Sequence, residues 1–379
     1  MKILVAGDYC QRYRIDEEIR NHNYEKLFES IVPEINKADF RIVNYEFPVV
    51  ISEDRANPIN KCGPNLRGTK ESIEAIKNAG FNICTLANNH ILDQGEGCCL
   101  DTIQLLQEAG IKTVGAGKNV EAASEILYIK KDEETVAIIN CCEHEFTIAT
   151  ETSAGANPLN PIQQYYKILE ARKNADYVLV IVHGGHEHYQ FPSPRMKELY
   201  RFFIEVGADA VVNHHQHCYS GYEIYNGKPI FYGLGNFLFD DPNKRNGIWN
   251  EGFMVTLTFG GNEVQYELIP YRQCNSLAKV ELLSEGELHE FTSSINDINS
   301  VILNDKLLKL QHENWINATK EVYEIQFTPW KSRITKGLFH RGLLPSFIDE
   351  NKKQALINFI ECEAHHDKTV YILKNLSFK

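Results

Sequence analysis

The chain has 379 residues, 43% apolar and 24% charged, the ordinary balance of a globular protein with room for one large domain and an appendage, or for two domains. Its formal charge of -12 repels a phosphate backbone, so nucleic acid is excluded as an expected partner, and no basic run marks an anionic membrane surface. MKILVAGDYC at the start holds too few apolar residues before Asp8 for a secretory signal. No run is long enough to span a bilayer, so a cytoplasmic chain is expected. The ten cysteines show no CxxC spacing, and Cys84, Cys141 and Cys142 lie in apolar runs, which reads as reduced, buried thiols.

Short Val/Ile-rich runs bounded by turn residues read as buried strands at 2–7, 40–45, 81–86, 135–142, 177–185 and 208–213. Between them 69–80, 96–110, 161–175 and 193–207 carry helical spacing, several closing on a glycine. The alternation predicts a layered α/β fold with a mixed central sheet or sheets flanked by helices. Beyond Val211 the pattern changes. Residues 221–237 read as a hairpin around Asn226-Gly227, and 252–271 as another around Gly260-Gly261-Asn262. From about residue 283 the chain turns polar and helical, so a domain over 1–280 and a helical extension over 281–379 are expected.

The polar residues collect where the strands end, which is where α/β sheets bind ligands. Asp8 follows the first strand, Asn44 and Glu46 close the second, and Asn88, Asn89, His90 and Asp93 follow the third. His183 ends the fifth, and VVNHHQH places His214, His215 and His217 after the sixth. One Asp, one Glu, one Asn and three His form a mixed oxygen and imidazole set, suited to Mn, Fe or Zn rather than to a thiolate zinc site. Two such ions about 3.5–4 Å apart clamp the oxygens in displacement at phosphorus. His144, His289 and His365, each alone in its segment, read as packed or surface histidines.

The blocks GD (7–8), NYEFP (44–48), LANNHILDQGEG (86–97), HGGHEHYQFPSP (183–194), GADAVVNHHQH (207–217) and GKPIFYGLGNFLFD (227–240) resemble, in order, those of CapA-type capsule and poly-gamma-glutamate biosynthesis proteins. These are related to calcineurin-like metallophosphoesterases. The resemblance covers roughly residues 1 to 275. It implies that Asp8 and His217 bind one metal, that Asn89 and His215 bind the second, and that His183 is a further ligand. Glu46 would bridge the two, and His90 would donate a proton while Asp93 orients it. Cys10 stands where the wider superfamily has a histidine, which leaves open whether one ion binds or two.

Further candidates for substrate contact are Arg67 in the loop KCGPNLRG, Asn44, Glu187, Tyr189, His214 and Asn236, with His186 and His188 beside them. An arginine fork suits phosphate. The expected activity is metal-dependent hydrolysis of a small phosphorylated metabolite or sugar intermediate of a surface polymer, as a phosphatase of the capsule pathway. The alternatives are an accessory or amide-ligase-associated component of polymer assembly, against which the lack of a GxxxxGK[ST] motif counts, and a metal-binding scaffold. A homo-oligomer is left open.

Overall fold

The computed structural model describes residues 1–261, 263–330 and 332–375, so Asn262 of the second hairpin turn lies outside the described residues. In chain order the strands are β1 (Lys2–Cys10), β2 (Phe40–Tyr45), β3 (Ile83–Thr85), β4 (Lys112–Val114), β5 (Ala116–Gly117), β6 (Leu127–Lys131), β7 (Glu134–Cys142) and β8 (Gly155–Ala156). Then come β9 (Tyr177–His183), β10 (Ala210–His214), β11 (Tyr222–Tyr225), β12 (Lys228–Phe231), β13 (Asn236–Phe239), β14 (Glu251–Thr258), β15 (Gln265–Gln273) and β16 (Val280–Leu282). One sheet runs β16-β15-β14-β1-β2-β3-β4 with β13 also on β1, a second runs β11-β12-β10-β9-β7-β6, and β5 pairs with β8.

The sheets stack because their strands are apolar on alternate residues or throughout. In β1, Ile3 and Val5 enter one cluster with Val178, Val180, Val211 and Phe231 of the second sheet. Leu4 and Ala6, pointing the other way, enter a second cluster. That cluster packs under α1 (Arg14–Arg20), α2 (Tyr24–Phe28), α3 (Val32–Ile35), α4 (Glu71–Asn78) and α5 (Gly95–Glu108). After the short α6 (Val120–Ala123), α7 (Pro161–Asn174) and α8 (Pro194–Val206) cover the outer face of the second sheet through Ile168, Ala171, Tyr200 and Phe203. The result is four layers, helix on sheet on sheet on helix. Helix α8 starts where Ser193 accepts a hydrogen bond from Met196 N, has Pro194 in its first turn, and stops at Gly207 with φ 134°.

The first expected hairpin is shorter than its sequence pattern. Asn226 and Gly227, with φ 51° and 76°, join β11 to β12. Gly235, at φ 79°, then swings the chain out of that sheet. Asn236–Phe239 continues as β13, parallel to β1 in the other sheet.

The described residues fall into two compact units, Met1–Lys309 and Leu310–Lys379. Helix α9 (Glu285–Ile302), beyond the expected boundary near 280, belongs to the first. Its residues Phe291, Ile295, Ile298 and Ile302 lie one helical turn apart and all enter the inter-sheet core. Burying each is worth about 1.5–3 kcal/mol, which is why the helix does not stand off as part of an extension. Helix α10 (Asp305–Glu324) crosses the division. The second unit continues with α11 (Arg333–His340), α12 (Glu350–Glu361) and α13 (Glu363–Lys374). Of its described residues only Ile325 and Thr328 are buried. Among the described residues no helix is long and apolar enough to cross a membrane.

Candidate metal centre

Parallel pairing brings the expected residues to one rim. Asp8 is opposite Asn44 of β2 on one side and Asn236 of β13 on the other. His183, at the end of β9, is opposite His214 of β10. Chain beyond β2, β3 and β10 then carries Glu46, Asn89 and His215 with His217 into the same space. His215 and His217 take φ values of 91° and 54°, backbone that non-glycine residues rarely adopt and that concentrates at functional sites.

Two donor sets result, each with ligand atoms within 4.8 Å of one another: Glu46, His183 and His215, and Asp8, Glu46 and His217. All are buried. The Oε1 atom of Glu46 lies 3.7 Å from His183 Nε2 and 3.6 Å from His217 Nε2. Asn89 Oδ1 is 3.0 Å from His183 Nε2, and His215 Nδ1 is 3.1 Å from the same atom. Three electron-pair atoms, from Glu46, Asn89 and His215, thus crowd one imidazole nitrogen that can carry at most one proton. Neither oxygen of Glu46 has a hydrogen-bond partner, although a buried carboxylate without a partner is costly. An unpartnered carboxylate between imidazoles and a second acid fits a divalent cation.

The electrostatics follow from burial and crowding. Burial, then the charges of Asp8, Glu187 and Asp93, push the Glu46 carboxyl well above its ordinary range. Burial also acts to raise Asp8, but the His217 hydrogen bond and neighbouring imidazoles hold it well below the usual value. Burial and His215 push His183 well down, leaving it neutral as a ligand must be. Burial opposes protonation of His217, and Asp8 more than offsets it, so His217 is raised.

Residues expected at the substrate divide by what they touch. Asn44 donates from Nδ2 to Asp8 Oδ1 at 2.7 Å, and Asn236 Oδ1 is 2.9 Å from His217 Nδ1. Both brace members of the donor sets rather than face open space. His214 turns into the protein, with Nε2 2.9 Å from the Ala6 carbonyl of β1. The Arg67 guanidinium is spent on Glu53 at 2.7 Å on an exposed surface, away from the donor sets. Tyr189 is buried against Phe191, and its carbonyl accepts from Gln216 Nε2 at 2.9 Å. Glu187 stays at the site: burial raises it, but the charges of His217, His215, His188 and His90 bring it below its ordinary value. Cys10 enters the apolar cluster with Leu4 and Ala6, where burial pushes its thiol well up. It belongs to neither donor set.

His90 and Asp93 meet, Nδ1 to Oδ2 at 2.6 Å. Sequence reasoning missed a third member. The Lys61 ammonium lies 2.5 Å from Asp93 Oδ1 and 3.0 Å from His90 Nδ1. It belongs to the same loop as Arg67, whose guanidinium fork suits phosphate in type but is paired with Glu53. Lys244 was missed too. Its Nζ sits 3.7 Å over the Trp249 ring and 2.9 Å from His188 Nε2, and Trp249 packs 5.0 Å from the His217 ring.

Fold and site together define a layered α/β protein with a candidate divalent-metal centre. Residues 2–241 match the family described as bacterial capsule synthesis protein PGA_cap, and the chain belongs to that family. It is 33% identical over 248 residues to capsule biosynthesis protein CapA of Bacillus anthracis, covering 63% of this chain and 60% of that one. It is 30% identical to the PGA biosynthesis protein CapA of Bacillus subtilis, covering 62% of each. A probable polyglutamine synthesis accessory protein of Mycobacterium tuberculosis is 27% identical, with 64% of this chain and 68% of that one covered. The chain thus spans about three fifths of the length of the two CapA relatives. Among solved structures, a phosphatase from Mycoplasma pneumoniae is similar at a TM-score of 0.46 and 14% identity, covering 73% of this chain and 95% of that one.

Proposed function

We propose that the protein is a metal-dependent phosphoesterase, hydrolysing a phosphate ester of a small metabolite or sugar intermediate in the assembly of a surface polymer. The observation that carries this reading is the Glu46 carboxylate, common to both donor sets, buried and without a hydrogen-bond partner. The oxygen and imidazole donors favour Mn, Fe or Zn. Asp8 and His217 would hold one ion, Asn89, His183 and His215 the other, and Glu46 both. Bound there, two ions would polarise the phosphoryl oxygens and neutralise the charge that develops on them.

The chain's own residues do the remainder. Asn44 and Asn236 fix the rotamers of Asp8 and His217, as partners of metal ligands do. Asp93 holds His90 by Nδ1, which leaves Nε2 facing the site, 4.0 Å from Glu46 Oε1. As the water oxygen bonds to phosphorus, the ester P–O bond breaks, His90 gives the Nε2 proton to the leaving oxygen, and the water's lost proton passes to solvent. Burial keeps His90 below its ordinary value, a balance in which Asp93 works the other way. Its protonated form is therefore a ready donor. The ten free cysteines, eight of them buried, favour a reducing compartment, and we place the activity in the cytoplasm.

A second reading is favoured by the relatives' names: a role as an accessory component in poly-gamma-glutamate-like polymer assembly. A panel of sugar phosphates, nucleotides and phosphodiesters, incubated with Mn and then with chelator, separates the two. Chelator-sensitive phosphate release supports the hydrolase. Metal binding with no release from any ester supports the accessory role.

A further inference from the structure

Lys61 sits in an irregular loop with no helical or strand pattern, yet its side chain is only 2% exposed. An ammonium taken from water needs a counter-charge, and Asp93, with a fully buried side chain, provides it at 2.5 Å. The other Asp93 oxygen meets His90 Nδ1 and the Leu66 N–H, each at 2.6 Å. Lys61 Nζ also lies 3.4 Å from the Asn89 carbonyl and 5.5 Å from the centre of the Phe146 ring. Backbone bonds clamp the loop to the turn that carries His90: Ile59 N to Asp93 O at 3.2 Å and Asn57 N to Gln94 O at 3.0 Å. Asp93 is therefore held from both sides. Its carboxylate cannot swing away from His90 without abandoning a buried cation.

We infer that Lys61 is a positioning residue for the proposed reaction, fixing Asp93 and through it the His90 ring that serves the leaving group. The inference rests on the phosphoesterase reading. Arg67, the other cation of the same loop, does not share the task, because Glu53 occupies it.

A residue that acts through the proton donor has a signature that a merely structural one lacks. Leaving oxygens of low basicity need little help from an acid, and basic ones need much. The test measures kcat and KM with Mn on p-nitrophenyl phosphate and phenyl phosphate for wild type, Lys61→Met, Lys61→Arg, His90→Asn and the Lys61→Met/His90→Asn double variant. Metal content is measured on each. We expect Lys61→Met to keep its metal and its KM. Its kcat should fall by about 10–100-fold on phenyl phosphate, by clearly less on p-nitrophenyl phosphate, and recover in part in Lys61→Arg. In the His90→Asn background the same change should add no further loss. Equal losses on the two esters, or a further full loss in the His90→Asn background, would overturn the inference while leaving the enzyme a phosphoesterase. The Lys61→Arg variant decides the matter if Lys61→Met does not fold, because activity equal to His90→Asn in a folded, metal-loaded arginine variant also contradicts it. Wild type that releases phosphate from neither ester would sink the reading beneath it, and the inference with it.

Discussion

The Glu46 carboxylate lies 3.6 Å from His217 Nε2, fully buried, with no hydrogen bond to either oxygen. No side chain in the site supplies what it needs, and several neighbours make its charge worse. In the metal-free protein the folded state therefore binds the Glu46 proton more tightly than the unfolded chain does. Such a group stabilises below the ordinary carboxylate range and loses that contribution as pH rises. Glu46→Gln should accordingly raise the metal-free stability at neutral pH by about 1–3 kcal/mol, and abolish the rise in Tm that Mn gives the wild type. Thermal unfolding with chelator and with Mn checks both halves.

The same carboxyl predicts proton release. Metal competes with the proton for the Glu46 carboxyl, which burial and the neighbouring acids push well above its ordinary range, so loading should release protons. Titration calorimetry in buffers of different ionisation enthalpy measures it. Affinity should weaken as pH falls, since His217, whose value Asp8 helps to raise, must lose its proton to bind. Affinity independent of both pH and buffer would contradict this account.

Asn236, which also donates from Nδ2 to the His217 and Trp249 carbonyls, is expected to matter chiefly through His217. Asn236→Ala removes the Oδ1 partner at 2.9 Å from Nδ1 and should weaken metal binding by about 10–100-fold, with a smaller effect on fold stability than on affinity. A competition titration against a metal indicator reads this directly.

Gly7 should tolerate no side chain. A Cβ there would meet the Gly235 carbonyl oxygen at 1.9 Å, backbone against backbone. Gly7→Ala must push β13 from β1, and so Asn236 from Asp8. A loss of about 1–3 kcal/mol or more, together with loss of metal, is the expected outcome in denaturant titration and metal analysis.

Asn213 is a purely structural counterpart. Its Nδ2 donates to the carbonyls of Gly184, His214 and Tyr232 at 2.9, 2.8 and 3.0 Å, and its Oδ1 accepts from Tyr200 at 2.7 Å. The His214 carbonyl keeps the Gly184 N–H, but Asn213→Ala takes a partner from the Tyr200 hydroxyl and from the Gly184 and Tyr232 carbonyls, and should cost about 1–3 kcal/mol.

The rim of ligands was legible because of how parallel strands advertise themselves. Buried on both faces, β9 and β10 read as apolar runs, and the polar residues that close them, His183 in β9 and Asn213 and His214 in β10 just before His215, mark the sheet edge. Strand ends fix position along the chain, but the direction a side chain takes there is a tertiary matter. His214 and His215 are neighbours in sequence, yet the last residue of β10 reaches the Ala6 carbonyl while the left-handed turn at His215 leaves that side chain in the site. Lys61 and Arg67 illustrate the limit further. In a loop without periodicity nothing local says which cation folds inward, and the choice is made by Asp93 and Glu53, distant in sequence. Strand β13 was hidden for a similar reason, since Gly235 redirects a segment whose composition suits either sheet.

The central claim is that one buried centre both holds metal and cleaves phosphate esters. Its most direct test is metal content together with phosphate release from p-nitrophenyl phosphate, for wild type and His217→Ala purified side by side. The account predicts one to two equivalents of a transition metal and steady release for wild type, with both reduced in the variant. Wild type that carries no metal and stays silent with added Mn, or a variant that matches it in both, would contradict the claim.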